Sequence, residues 1–175
     1  MKLVLLKIGF ISLVGITLSA CTSVNDKWNV HNSWCEQKEV SVTNETIVLS
    51  VDTLFEYNRS SFNAILPKGQ KQLDDMVVSL KNNYQKINKI VLVGHTDRIG
   101  SEPYNERLGL ERANTIKEYL ISQGINTSYL VESKGKLEPV TTNCTNNMVD
   151  EVLKVCLQPD RRVEIHIEGV IPPSD

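Results

Sequence analysis

The apolar positions of this chain repeat with a helical period in two stretches. Pro67 can open a helix, and apolar side chains follow it at i, i+3, i+4 and i+7: Leu73, Met76, Val77 and Leu80. The second stretch repeats apolar side chains in the same way: Leu110, Ala113, Ile116 and Leu120. Gly124, with Ile125 after it, is typical of a glycine C-cap and its hydrophobic follower. Two amphipathic helices are therefore predicted.

Extended segments alternate with these helices. Residues 46–51 form a β-branched run, and residues 55–58 continue as a second short extended piece. Residues 89–94 are a nearly continuous apolar run, typical of a buried strand, and residues 130–133 form a shorter strand. Residues 163–168 alternate apolar and polar side chains, which predicts a strand with one face in water. The order β-α-β-α-β predicts an α/β fold, a two-layer sandwich.

The first 21 residues carry a targeting pattern. Two lysines near the start form a positive region, and residues 8–18 form an apolar stretch shorter than the about 20 residues that a membrane span needs. Residues 18–21, Leu-Ser-Ala-Cys, resemble the bacterial lipobox, in which the cysteine carries acyl chains. The alternatives are an ordinary signal peptide with an incidental cysteine, or an uncleaved anchor. We predict a signal peptide over residues 1–20 and lipidation of Cys21.

The mature chain divides into a tether, a domain and a tail. Thr22, rather than an aspartate, follows the cysteine, and by resemblance to known sorting rules this directs a lipoprotein to the outer membrane. Residues 21–45 are polar, contain two tryptophans and keep no period, so we predict a tether between lipid and domain. The globular domain is predicted over residues 46–170, and two prolines mark residues 171–175 as the tail.

Composition and charge exclude one class of partner. The chain has 175 residues, of which 41% are hydrophobic and 23% charged, and its formal net charge is -2. Removal of a leader that carries two lysines makes the mature protein more negative. We therefore predict no nucleic-acid partner, because such partners need a basic face.

The cysteines suggest an internal crosslink. Export would place the chain in the oxidising periplasm. Cys144 and Cys156 lie 12 residues apart in one polar loop, close enough to form a disulfide worth about 3 kcal/mol by loop-closure arithmetic. Zinc is the competing interpretation, but the spacings C-x-x-C and H-x-x-x-H do not occur. Cys35 is left over, either as a free thiol or as an intermolecular bridge.

A polar loop, residues 94–101 (GHTDRIGS), leaves the central strand and leads towards the second helix. In α/β folds, ligand sites lie at such strand ends. The glycines at positions 94 and 100 are predicted to let the loop turn tightly, and Gly109 is predicted to N-cap the long helix. Arg112 would then lie in the first turn of this helix, so that its guanidinium and the carboxylate of Asp97 flank one pocket.

A pocket with both of these charges suits a zwitterionic ligand. An ammonium would pair with Asp97, and a carboxylate would accept two hydrogen bonds from Arg112. Meso-diaminopimelate, the third residue of the Gram-negative wall peptide, carries this pair of groups at its side-chain end. Lysine at the same place lacks the carboxylate and would leave Arg112 unpaired, so the site should reject it.

The same loop carries a family resemblance. The pattern G-H-T-D-R-I-G-S-x-x-Y-N-x-x-L-x-x-x-R-A over residues 94–113 resembles the signature of the OmpA-type peptidoglycan-binding domain. The similarity extends over residues 48–169 and includes Phe-Glu-Tyr-Asn at 55–58 and Pro-Asp-Arg-Arg-Val-Glu-Ile at 159–165. Asn58 stands where relatives commonly have aspartate.

The resemblance implies an α/β sandwich with a mixed sheet and a C-terminal disulfide loop. It also implies that Asp97 and Arg112 hold diaminopimelate, without a cofactor. The predicted pocket neighbours are Thr96, Asn105, Leu108 and Arg162. Together with the lipobox, these features predict a lipoprotein of the outer membrane whose domain faces the periplasm and binds peptidoglycan non-covalently.

Two other classes of function compete with this one. A wall hydrolase needs an activated nucleophile, paired carboxylates or zinc, and Ser101 has no histidine partner recognisable in the sequence, so no enzyme is predicted. The main alternative is an adaptor that recruits an envelope protein through the tether with Trp28 and Trp34, the wall domain being its anchor. His95 follows a buried strand and is predicted to satisfy a backbone group. A metal site formed with Asp97 is not predicted, because a third ligand is not evident.

Overall fold

The computed structural model of this chain describes residues 41–56 and 58–172. The predictions for the signal peptide, Cys21, Cys35 and Tyr57 lie outside the described residues, as does most of the predicted tether. The helices and strands, in chain order, are β1 (Ser41–Ser50), α1 (Val51–Leu54), α2 (Pro67–Asn83), β2 (Lys86–His95), α3 (Glu102–Ser122), β3 (Ser128–Gly135), α4 (Asp150–Cys156) and β4 (Arg162–Ile171). Short 3-10 helices cover Phe62–Ala64 and Gln158–Asp160.

The four strands form one mixed sheet in the order β1-β4-β2-β3. Strand β4 is antiparallel to both β1 and β2, whereas β2 and β3 are parallel. Parallel neighbours need a crossover connection, and α3 supplies it between β2 and β3. The predicted α/β fold with a mixed sheet is therefore confirmed.

One face of the sheet carries the core. Its most buried side chains come from β2 and β4: Ile90, Leu92, Val163, Ile165 and Ile167. They form one cluster with the apolar stripes of α2 and α3: Leu73, Met76, Val77, Leu80, Ala113, Ile116, Tyr119 and Leu120. Leu110 was predicted in the second stripe but is 38% exposed. The other face carries half-exposed polar side chains such as Glu164 and His166, as the alternation in β4 predicts.

The first strand is longer than its β-branched run. Residues 41–45, predicted as tether, pair with the end of β4, from Ser41 opposite Ile171 to Glu45 opposite Ile167. A polar segment can form an edge strand because its backbone pairs on one side while its side chains stay in water. The observed strand ends at Ser50, one residue before the predicted end, because Val51 is the first residue of α1.

Helix α3 begins at Glu102, with Ser101 in the N-cap position and a proline in the first turn. The prediction of Gly109 as the N-cap is therefore wrong, and Arg112 lies in the third turn rather than in the first. Proline suits the first turn because its missing N–H has no partner there anyway. The C-terminal prediction is confirmed: Gly124 has φ +81°, and the N–H of Ile125 donates to the carbonyl of Leu120 at 3.0 Å.

Two glycines let α3 lie against the sheet. A Cβ on Gly94 would lie 2.0 Å from the carbonyl oxygen of Gly109, and a Cβ on Gly109 would lie 2.4 Å from Oγ of Ser133. Gly94 therefore belongs to strand β2 and allows close packing, rather than turning the loop as predicted. Gly100, with φ +100°, does turn the loop in a conformation that favours glycine.

The segment between β3 and β4 is crosslinked. Cys144 and Cys156 form a disulfide, which confirms the predicted pairing. Asp160 is 1% exposed, and its carboxylate accepts hydrogen bonds from the backbone N–H groups of Val140 and Thr141 at 2.8 and 2.9 Å. These contacts hold the segment against the end of the sheet. No helix in residues 41–172, as far as the structure describes them, is long and apolar enough to cross a membrane.

Candidate functional site

A pocket of about 300 Å³ opens beside the loop that joins β2 to α3. Its wall is formed by α1 and the segment that follows it, this loop, the first three turns of α3, α4 and the residue before β4. Five of the six side chains that the sequence predicted for the site line it: Thr96, Asp97, Asn105, Leu108 and Arg112. Residues separated along the chain by the loop and three helical turns thus meet in one cavity.

The carboxylate of Asp97 is held by a bond to each oxygen. Its Oδ1 accepts the backbone N–H of Ile99 at 2.9 Å, and its Oδ2 accepts Nη1 of Arg161 at 2.9 Å. The first bond forms an Asx-turn, in which an aspartate side chain accepts the backbone N–H two residues later in the chain. With 15% of its side chain exposed, Asp97 presents a fixed negative charge to the pocket.

Arg112 supplies the opposite charge. The residue is 4% exposed, and its Nε donates to the carbonyl of Arg59 at 3.0 Å, which sets the plane of the guanidinium. Its two terminal nitrogens have no hydrogen bond to any of the described residues. Burial lowers the pKa of Arg112, and the negative charge of Asp52 opposes this effect. The terminal nitrogens are therefore donors available to a ligand carboxylate.

Arg161 is a further basic residue of the pocket, and the sequence did not predict it. It lies immediately before β4, lines the pocket and joins Asp97 to Asp52. The predicted neighbour, Arg162, lies on the other face of the sheet, where its Nε donates to Glu164 at 2.8 Å. Successive side chains of a strand point to opposite faces, so only one of two adjacent arginines can face the pocket. The alternation of buried residues from Val163 onwards was the pattern that could have identified Arg161.

The remaining predicted neighbours shape the loop. Thr96 and Asn105 are 4% and 2% exposed. The hydroxyl of Thr96 donates to the carbonyl of Asp97 at 3.2 Å, and Nδ2 of Asn105 donates to the carbonyl of Ile99 at 3.0 Å. Both side chains therefore hold the backbone of the loop that carries Asp97. Leu108 contributes apolar wall.

Tyr104 lines the pocket as well. Its hydroxyl donates to the side-chain oxygen of Asn58. The side-chain amide oxygen of Asn58 therefore serves as the acceptor. Tyr104 and Asn58 together close the side of the pocket between α1 and α3.

Acidic and basic side chains line the pocket in equal number: Asp52, Glu56 and Asp97 against Arg112, Lys154 and Arg161. A ligand with a net charge would leave one sign in excess, and unpaired charge is costly where water is partly excluded. The lining therefore suits a ligand that is neutral overall and carries both signs.

His95 lies outside the pocket. The residue is 2% exposed, and neither ring nitrogen has a hydrogen-bond partner within the described part of the chain. The prediction that it satisfies a backbone group is therefore wrong. The ring lies on the other face of the sheet, with Nε2 at 3.7 Å from Oε1 of Glu164, and burial lowers its pKa.

Comparison with known families gives the assignment. The model of the OmpA family matches residues 54–152. This chain belongs to the OmpA family. Outer membrane protein A of Shimwellia blattae is 40% identical over 131 residues, which are 74% of this chain and 53% of that protein. Outer membrane protein A of Klebsiella aerogenes is 39% identical over 130 residues, 73% of this chain and 36% of that protein. The OmpA-family chain thus spans about half, or less, of these relatives.

Solved structures share the fold. The cell wall anchor of the T6SS from Pseudomonas aeruginosa matches with a TM-score of 0.56 and 22% identity, over 74% of this chain and 87% of that one. The peptidoglycan-associated lipoprotein from Burkholderia pseudomallei matches with a TM-score of 0.51 and 24% identity, over 69% of this chain and 88% of that one. At these identities the likeness establishes the OmpA-like fold alone.

Proposed function

We propose that this OmpA-family domain binds peptidoglycan non-covalently through the meso-diaminopimelate of the stem peptide, and so links the outer membrane to the cell wall. One observation carries the proposal: Arg112, buried and with its terminal nitrogens unbonded to the described residues, shares a pocket with the fixed carboxylate of Asp97. Two relatives of the same fold are named as a cell wall anchor and a peptidoglycan-associated lipoprotein, which supports this class of ligand.

The side-chain end of diaminopimelate matches the two ends of the pocket. Its carboxylate can accept two parallel hydrogen bonds from the guanidinium of Arg112, a geometry that lysine residues of the protein could not offer. Its ammonium can approach Asp97, whose oxygens keep further lone pairs besides the bonds they accept. Since the ligand group is neutral overall, the equal charge of the lining is preserved.

The lining favours binding over hydrolysis. A wall hydrolase would need a nucleophile with an adjacent base, or a metal that activates water. The described residues that line the pocket include no serine, cysteine or histidine, and the hydroxyls of Thr96 and Tyr104 donate to the carbonyl of Asp97 and to the side chain of Asn58 rather than to a base. Arg161 occupies the space between the carboxylates of Asp52 and Asp97, where a glycosidase would place its substrate.

The proposal predicts selective binding of one wall peptide. Calorimetric titration of the chain from residue 22 onwards with a diaminopimelate-containing muropeptide should give saturable binding. The same muropeptide with lysine at the third position should give none, because Arg112 would be left without its carboxylate. Binding of neither peptide would contradict the proposal and favour an adaptor that recruits an envelope protein.

We infer that a lipid at Cys21 provides the membrane attachment, on the strength of Leu-Ser-Ala-Cys at residues 18–21. The replacement Cys21→Ser should move the protein from the membrane fraction to the soluble periplasm, because acyl chains supply the anchoring free energy. Immunoblots of the two fractions measure this, with Cys35→Ser as the matched control that stays in the membrane. Membrane retention of the Cys21 variant would contradict the lipid anchor.

A further inference from the structure

Arg161 holds two carboxylates at once. Its Nε and Nη2 donate to the two oxygens of Asp52 at 2.9 and 2.6 Å, and its Nη1 donates to Oδ2 of Asp97 at 2.9 Å. The arginine side chain is only 12% exposed, so these charge-assisted bonds form where little water competes. The position of the guanidinium is therefore set by Asp52 on one side, by Asp97 on the other and by the carbonyl of Lys154, which accepts from Nη2 at 3.1 Å.

Asp52 belongs to a second chain segment that meets Arg161. It lies in α1, and the N–H of the preceding residue, Val51, donates to the carbonyl of Arg161 at 3.0 Å. Backbone and side chain thus join α1 to the start of β4 at the same point. Both oxygens of Asp52 accept from the guanidinium, and its side chain is 34% exposed.

The way in which the N–H donors of Arg161 are shared between the two aspartates decides how accessible the carboxylate of Asp97 is to a ligand. The guanidinium fork of Arg161, formed by Nε and Nη2, bonds to Asp52, whereas Asp97 accepts a single N–H, from Nη1. A guanidinium prefers two parallel bonds to one carboxylate. Without the charge of Asp52, the fork would turn towards Asp97 and cover the carboxylate that a ligand ammonium needs.

We propose that Asp52 is a positioning residue of the ligand site, which holds the fork of Arg161 and thereby keeps the carboxylate of Asp97 accessible to an ammonium. This inference rests on the proposed function. Asp52 is also the charge that most strongly opposes the lowering of the Arg112 pKa by burial, so its influence extends to the other end of the pocket.

The test is a double-mutant cycle on the affinity for the diaminopimelate muropeptide. Asp52→Asn keeps the shape of the side chain and should weaken binding about tenfold, a usual effect for a residue that orients a binding group. Arg161→Gln added to Asp52→Asn should restore the affinity to that of the Arg161 single variant, because no guanidinium remains to cover Asp97. Asp75→Asn, which breaks the exposed Lys71–Asp75 ion pair of α2, is the control and should bind like the wild type.

Two results would overturn the inference. The first is an unchanged affinity of Asp52→Asn. The second is an equal loss of affinity from Asp52→Asn in the presence and in the absence of Arg161, because this would mean that Asp52 contacts the ligand directly. A wild type that binds no muropeptide would overturn the proposed function instead. The side-chain Nε–H resonance of Arg161 then decides the positioning role without a ligand. It should exchange slowly with water in the wild type, where it donates to Asp52, and also in Asp52→Asn, where it donates to Asp97. Adding Asp97→Asn should speed the exchange only in the Asp52→Asn background, and exchange that Asp97→Asn leaves unchanged there would refute the inference.

Discussion

Replacing Arg112 with glutamine should lower the affinity for the diaminopimelate muropeptide about 100-fold, since truncating one partner of a buried, hydrogen-bonded charge pair costs about 2–5 kcal/mol. Arg112 is 4% exposed and lines the pocket, and its terminal nitrogens have no bond to the described residues. Its carboxylate partner would lose both hydrogen bonds and stay desolvated. Affinity for the wall should therefore fall with the peptide affinity.

The fold should survive this change. Burial already lowers the pKa of Arg112, which means that the charged form is costly in the folded state. A neutral side chain removes that cost and gives up one bond, to the carbonyl of Arg59. Calorimetry and urea unfolding measure the two effects separately, with Lys117→Gln in the same helix as the control for loss of charge. Wild-type affinity in the Arg112 variant would refute the site.

The companion variant Asp97→Asn tests the other end of the pocket. Asparagine keeps an oxygen that can accept the N–H of Ile99, so the loop should keep its turn while the charge is lost. The ammonium of the ligand then has no carboxylate to pair with. We expect a loss of affinity similar to that of the Arg112 variant, again without loss of folding.

Replacing Gly94 with alanine should destabilise the domain by about 3 kcal/mol, the upper end for overpacking in a well-packed core. The new Cβ would lie 2.0 Å from the carbonyl oxygen of Gly109 and 2.4 Å from its carbonyl carbon. Backbone cannot rotate away as a side chain does, so α3 must move off the sheet. Ligand affinity should fall as well, because Asp97 follows the strand and Arg112 belongs to the helix.

Urea unfolding of Gly94→Ala against wild type measures this loss. Gly124→Ala is the matched control, because a Cβ there meets nothing within 4 Å and only the φ of +81° opposes it. That conformation costs an alanine about 1 kcal/mol. A Gly94 variant that is as stable as this control would show that the approach of α3 to β2 is not tight.

Local patterns were sufficient for most of the elements. The stripes after Pro67 and before Gly124 predict α2 and the second half of α3, because helical periodicity depends on neighbours three and four residues away. The start of α3 was missed because a glycine was interpreted by its local conformational freedom. Gly109 instead packs against Gly94, 15 positions earlier, and a contact of this kind produces no periodic pattern in the sequence.

By itself, the sequence determined the family, the order of the two long helices and the main strands, the disulfide pair and the two opposed charges of the candidate site. These depend on short-range periods and on a motif contained within residues 94–113. The tertiary structure alone decided that Arg161 rather than Arg162 faces the pocket, and that Asp52 shares this arginine with Asp97. Asp52 and Arg161 are 109 residues apart and meet only because β1 and β4 pair along their length. Sheet register, which no local pattern encodes, set that contact.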